Sequence, residues 1–190
     1  YELFRNGKLI GFHNYNFTKK DNKLIVDSVV KFNIKKLGVN LYNYDATSQE
    51  IYENDQLIKF KSKTNQNKKT KYVNIEYDSN LKELVIDGSS NKSNSPKDFI
   101  IGTWWNHSII EAKAQISAVS GRIIEQKVTF LGKKKIELYG KTYEALHFNF
   151  SSADETLPDS KKLNTNIWYD DKTKVWLKAS FDKTGFWEYR

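Results

Sequence analysis

The stretch Leu57-Ile58-Lys59-Phe60-Lys61-Ser62-Lys63-Thr64 puts lysine at every odd position from 59 to 63 and Ile58, Phe60, Ser62 and Thr64 between them. Side chains on a strand alternate between two faces, so this run has one lysine face and one apolar-to-small face. That period of two constrains the chain more than any other feature, because a helix would wind the same lysines around its axis and leave no apolar stripe. The alternation recurs in Leu24 to Ile34, where Leu24, Val26, Val30, Phe32 and Ile34 share a face. It recurs again in Thr142 to Phe150, with Leu146, Phe148 and Phe150 inward, and in Val175 to Phe181.

Turn signals separate these runs: Arg5-Asn6-Gly7-Lys8, Lys20-Asp21-Asn22, Glu53-Asn54-Asp55, Asp78-Ser79-Asn80, Asp170-Asp171-Lys172 and Lys183-Thr184-Gly185. Short polar connections between alternating runs predict antiparallel hairpins. The prolines, Pro96 and Pro158, both fall in polar loops. The segment from Asp87 to Ala118 is the least regular: "GSSNKSNSPKD" reads as a loop, and Ile109, Ile110, Ala112, Lys113 and Ile116 allow one or two helical turns. The expectation is one all-β, antiparallel domain over 1–190, with about nine to twelve strands and a short helical or loop insertion near 95–118.

Composition narrows function by exclusion. The chain has no cysteine, which rules out disulfides, Cys-ligated zinc and thiol catalysis. Its net charge is +8. The arginines are only Arg5, Arg122 and Arg190, and lysine supplies the rest. Base readout and phosphate forks favour arginine, so the charge reads as a solubilising surface and no specific nucleic-acid partner is expected. No methionine occurs, even at position 1, as expected for a processed or trimmed start such as a removed signal peptide. No apolar run is long enough for a transmembrane helix.

Histidines His13, His107 and His147 lack metal-pair spacing, and neither a Gly-x-Ser-x-Gly elbow nor a phosphate-cradling glycine loop is present. No metal and no cofactor is expected. His13 shares a strand face with Leu9, Gly11, Tyr15 and Phe17, the expected inner face. A buried imidazole there is either satisfied by core partners or turned into a cavity, beside which Gly11 leaves room for close approach. A hairpin across Lys19 to Lys23 would make Ser28 and Val30 its neighbours in such a cavity. Glu50 is in phase with Tyr42, Tyr44 and Tyr52. It reads as a salt-bridged strand carboxylate, or as the partner of His13 in an acid–base pair. His147 alternates out of phase with Leu146 and Phe148 and is expected to be exposed or at an interface, while His107 is expected in a loop. In "GTWWNHSII", Trp104 and Trp105 cannot both lie on one face of a strand, and they read as a ligand site, a catalytic corner or a packing plug.

Several ordered segments resemble an exported bacterial family, domain of unknown function 6134, itself similar to the broader group numbered 3108. They are "YELFRNGKLIGFHNYNF", "KKLGVNLYNYDATSQEIYENDQLIKF", the Trp104-Trp105-Asn106 segment, and "IWYDDKTKVWLKASFDKTGFWEYR" with Trp168-Tyr169-Asp170. The resemblance covers nearly the whole chain. It implies an exported, periplasmic domain built as a strongly curved sheet or incomplete up-and-down β-barrel. It implies no reaction, since that family has no assigned one. In such a sheet one tryptophan of the pair would fill the open end and the other would cover the rim.

Three functions fit these residues. The first is a non-enzymatic domain holding a lipid, another apolar or amphipathic ligand, or a partner peptide in its concave face. The second is an envelope structural or interaction protein with a filled core. The third is a hydrolase or isomerase using His13 with a carboxylate such as Glu50. The candidate binding residues are His13, Tyr15, Ser28, Glu50, Trp104, Trp105, Asn106 and Tyr169.

Overall fold

Hairpin turns built on left-handed residues set the course of the chain. In the computed structural model, which describes residues 1–190, Asn6-Gly7, Leu37-Gly38, Asn54-Asp55 and Asn67-Lys68 all have positive φ. Paired positive φ values give turns whose twist matches the strands they join. The strands are β1 (Glu2–Arg5), β2 (Lys8–Lys20), β3 (Lys23–Lys36), β4 (Val39–Glu53), β5 (Gln56–Gln66), β6 (Lys69–Asp78), β7 (Glu83–Gly88) and β8 (Lys92–Pro96). Then follow β9 (Ile100–Ile101), β10 (Ala114–Ile116), β11 (Ile123–Leu138), β12 (Lys141–Ser152), β13 (Asn164–Asp170), β14 (Trp176–Asp182) and β15 (Phe186–Tyr189).

All fifteen belong to one open sheet in the order β8-β7-β6-β5-β4-β3-β2-β1-β15-β14-β13-β12-β11-β10-β9. Every pairing is antiparallel except β9 with β10. The first and last strands pair in its middle, with Leu3 opposite Tyr189, so both free edges come from the centre of the sequence. Bulges between Leu3 and Phe4, Ile34 and Lys35, Phe130 and Gly132, and Trp168 and Tyr169 bend the strands.

The bending brings the two edges together without pairing them. Ile101 of β9 and Ile116 of β10 pack in one core with Phe60, Val73, Ile75, Leu84 and Ile86 of β5 to β7. A second core lies across β12 to β14 around Phe148, Phe150, Ile167, Tyr169 and Trp176, with Ile109 packed on it. Where the edges meet, a Cβ on Gly121 would sit 3.1 Å from the Gly88 Cα, and φ at Gly121 is +75°. Asn91 ties this junction by donating its side-chain amide to the Gly121 carbonyl at 3.0 Å.

Several expectations are corrected here. Strands number fifteen rather than about nine to twelve, because β1, β8, β9, β10 and β15 are too short to show alternation. The loop expected over residues 88–98 contains β8, a paired edge strand with Pro96 at its end. Helix near 95–118 is confined to a 3₁₀ turn at His107–Ile110, and Ile116 lies in β10. His147 is buried rather than exposed: its ring stacks on Trp168 at 4.2 Å, and Nε2 meets the Asn166 side-chain oxygen at 3.0 Å. The inner face of β2 does not extend as far as its alternation, since Leu9 and Phe17 remain half-exposed.

Candidate functional site

Antiparallel register arranges the inward residues of β2 to β5 in rows, and the rows differ in bulk. Phe17, Val26, Glu50 and Phe60 form one large row, continued by Ile75. The next row is Tyr15, Ser28, Ser48 and Ser62, and the one above it His13, Val30, Ala46 and Thr64. Above these come Gly11, Phe32, Tyr44 and Gln66. Small residues at the centre of a curved sheet cannot fill the space that Phe60 fills below. The result is a cavity of about 730 Å³.

Phe32, Tyr42 and Tyr44 cover one side, with Phe32 and Tyr44 stacked at 4.7 Å. Phe181, Trp187 and Tyr189 complete the aromatic lining, with Trp187 edge-on to Phe32 at 5.3 Å. Thr103 and Trp104 lie at the inner end, and Arg5, Leu41, Gln66 and Lys183 at the mouth. Gly11 has the close approach its position suggested, but to β3: a Cβ there would lie 2.0 Å from the Lys31 carbonyl oxygen.

His13 is 8% exposed and lines this cavity. Its ring stacks on Tyr15 at 4.2 Å, with Trp176 and Tyr189 edge-on at 6.3 and 6.1 Å. Neither ring nitrogen has a hydrogen-bond partner in the protein. Burial pushes its pKa down to about 3, so the ring is neutral at pH 7. The indole Nε1 of Trp104, another lining residue, is likewise without a partner. Unpaired buried polar atoms are rare in folded proteins, and three residues bordering this one space, Arg5, His13 and Trp104, carry them, each atom covered by the packing around it.

Glu50 lies beneath the cavity and is fully buried. It is not salt-bridged as its strand position suggested: its neighbours are neutral donors. Tyr52 donates its hydroxyl to Oε2 at 2.7 Å, while Thr103 Oγ1 and Trp105 Nε1 donate to Oε1, each at 2.9 Å. Burial raises its pKa, and the three donors oppose that rise. With both oxygens committed, Glu50 makes no hydrogen bond to His13.

The paired tryptophans part because Trp104 has φ +57° in a loop, a conformation costly for a bulky side chain. Trp104 turns to the second core, edge-on to Trp176 and Tyr189, both at 5.4 Å. Trp105 turns to the first, edge-on to Phe17 at 5.3 Å and Tyr52 at 5.6 Å. Both are half-buried, so neither is a buried plug with the other as its rim. Tyrosines hold this loop in place: the Tyr15 hydroxyl donates to the Thr103 carbonyl at 2.7 Å, and Tyr169 to the Trp104 carbonyl at 2.9 Å. Asn106 caps the 3₁₀ turn, accepting from the Ser108 amide at 3.1 Å.

Of the candidate residues, His13, Ser28 and Trp104 line the cavity. Tyr15, Glu50, Trp105, Asn106 and Tyr169 build the floor that carries Trp104. Sequence reasoning missed Arg5, Lys183, Trp187 and Tyr189, which reach the cavity through the pairing of the two chain ends. It also missed Ser48 and Ala46, whose signal was visible as small residues in phase with Glu50.

A family model described as "Domain of unknown function (DUF6134)" matches residues 1–190. No curated protein matches the sequence. Among solved structures, the chain is similar to a β-barrel-like protein of domain of unknown function DUF1849 from Brucella abortus, with a TM-score of 0.64 and 12% identity. That similarity covers 95% of this chain and 85% of the other, and it concerns the fold alone.

Proposed function

The chain belongs to the DUF6134 family, and from the geometry of its cavity we propose that it holds an apolar or amphipathic small molecule without transforming it. The observation that carries this reading is His13, nine-tenths buried with both nitrogens unpaired, on the wall of an aromatic-lined space of about 730 Å³. Small-ligand sites take this form, a largely apolar concavity with a few polar groups fixing orientation. Arg5 and Lys183 at the mouth take part in no ion pair of 4 Å or less, which favours an amphiphile with an anionic head outward and its chain toward His13. The inference that the domain works in the periplasm rests on family resemblance, and fractionation of host cells carrying the full gene tests it.

Native mass spectrometry of protein purified from its own host tests the holding function. A bound mass released by organic solvent is the expected result. As a second measure, dansyl-undecanoate should accept excitation energy from Trp104 and Trp187, which line the cavity. A bare mass together with no transfer overturns the proposal and favours an envelope protein with no ligand.

A further inference from the structure

The β3–β4 hairpin outruns its neighbours. β2 pairs with β3 only as far as Phe32, and β5 pairs with β4 only as far as Tyr44. Residues 33–43 therefore project as a two-stranded ribbon, buttressed by Asn67, whose side-chain oxygen accepts from the Asn43 amide at 2.8 Å. Antiparallel order puts this tip at the same end of the sheet as the β1–β2, β5–β6 and β14–β15 turns. That is the end where Arg5, Leu41 and Lys183 border the cavity.

The tip carries apolar side chains in the open. Leu37 is 95% exposed, Val39 62% and Leu41 52%. Leu37 also has φ +50°. Asn6, Asn54 and Asn67 hold positive-φ turn positions in other hairpins, and asparagine tolerates that conformation better than leucine. Lys68, Lys82, Lys174, Thr184 and Tyr139 also hold positive φ, but the first four present polar side chains to solvent and Tyr139 donates its hydroxyl to Glu2 at 2.6 Å. Leu37 contributes nothing to the fold that would offset its strain and exposure.

The turns beside the tip are rich in lysine, and the acids at this end of the sheet, Asp154, Glu155 and Asp159, gather in the β12–β13 loop. Lys35 and Lys36 precede Leu37, Lys68 and Lys69 lie in the next turn, and Lys183 and Arg5 complete the rim. None is in an ion pair, and the only acid in these four turns is Asp182. Exposed aliphatic side chains amid unpaired lysines match the two attractions of an anionic bilayer, a hydrocarbon interior beneath a negative surface.

We infer that residues 35–41 dock the protein on an anionic lipid surface, with Leu37 and Val39 entering the bilayer and the lysines at its headgroups. This apposes the cavity mouth to the membrane, but the docking does not depend on the cavity being occupied.

Flotation with vesicles tests it, comparing pure phosphatidylcholine with equal parts phosphatidylcholine and phosphatidylglycerol. Protein should float with the anionic vesicles and be released by high salt. Leu37→Asn supplies a residue suited to the turn, so the fold should survive, yet vesicle affinity should fall roughly tenfold or more. Lys35→Gln with Lys36→Gln should weaken binding by a similar factor. Because the chain has no cysteine, Leu37→Cys takes a single environment-sensitive fluorophore, whose emission should shift to the blue on anionic vesicles. Flotation with neither vesicle, undiminished flotation of Leu37→Asn, or a label that stays in water while the protein floats would each overturn the inference. Dansyl-undecanoate titration without vesicles reads the ligand proposal separately, so the two can fail independently.

Discussion

Trp105 donates its indole hydrogen to Glu50 at 2.9 Å, joining the loop after β9 to the C-terminal part of β4. The same carboxylate holds Thr103 and Tyr52. A buried acid with neutral donors and no cation positions the floor of the cavity rather than forming a charge pair.

Glu50→Leu should therefore be costly, leaving three donors unpaired at on the order of 1–3 kcal/mol each. Glu50→Gln should cost far less, since an amide oxygen can accept from Thr103 and Trp105 while its nitrogen donates to the Tyr52 oxygen. The pH response should differ too. A raised folded pKa means the folded state binds more protons above pH 4.5, so this group lowers stability as pH rises through its titration. Denaturant melts across pH 4.5 to 7 should show that component in the wild type and lose it in Glu50→Gln.

His13 has the opposite sign. Its pKa falls from 6.5 to about 3 in the fold, so the unfolded chain binds the extra proton between those values. Stability should drop as pH falls through that window, and His13→Phe should remove part of the drop. Comparing the two proteins by melts at pH 7 and pH 4.5 isolates His13 from His107 and His147, whose pKa values burial also lowers. Equal acid sensitivity in both would refute a neutral buried imidazole. If the cavity binds an amphiphile, His13→Phe should also weaken binding of dansyl-undecanoate while the protein stays folded.

Alternation made the long strands and their facing readable, because Leu24 to Ile34 and Lys59 to Lys63 sort cleanly by parity. That Ser28 and Val30 neighbour His13 and Tyr15 followed from one hairpin, whose register pairs His13 with Val30 and Tyr15 with Ser28. What parity could not carry was contact between distant segments. Arg5 donates to the Thr184 carbonyl across 179 residues, and no local signal announces the β1–β15 junction that makes this contact. Burial of His147 arises from Trp168 on the neighbouring strand, not from its own phase. The divergence of Trp104 and Trp105 needs a positive φ, which no residue in that segment predicts.

The tryptophan pair gives a third test. Since each is half-buried and serves a different core, Trp104→Ala and Trp105→Ala should both destabilise, on the order of 2–4 kcal/mol and toward the low end for large aromatics. Their binding effects should separate. Trp104 lines the cavity, so its loss should lower amphiphile affinity beyond any change in stability, whereas Trp105 should act only through the fold. Melts and dansyl-undecanoate titrations of the two variants check this, and an unchanged melting temperature for either would show that its core contacts contribute nothing.

The strongest test of the cavity is to fill it. Ser28 and Ser48 share a hydrogen bond of 2.8 Å in the row of small residues that leaves the space open. Replacing both removes donor and acceptor together, so neither is left unpaired, and such paired replacements can be nearly neutral. Ser28→Leu with Ser48→Leu adds apolar volume where nothing has to be displaced, so stability should hold or rise, unlike overpacking of a filled core. Binding of dansyl-undecanoate should fall by roughly tenfold or more, about 1.4 kcal/mol per factor of ten. If the double variant melts several degrees lower, the space was already filled by neighbouring side chains. If it keeps full affinity with an unchanged melt, the amphiphile binds elsewhere and the small-residue row is not its site.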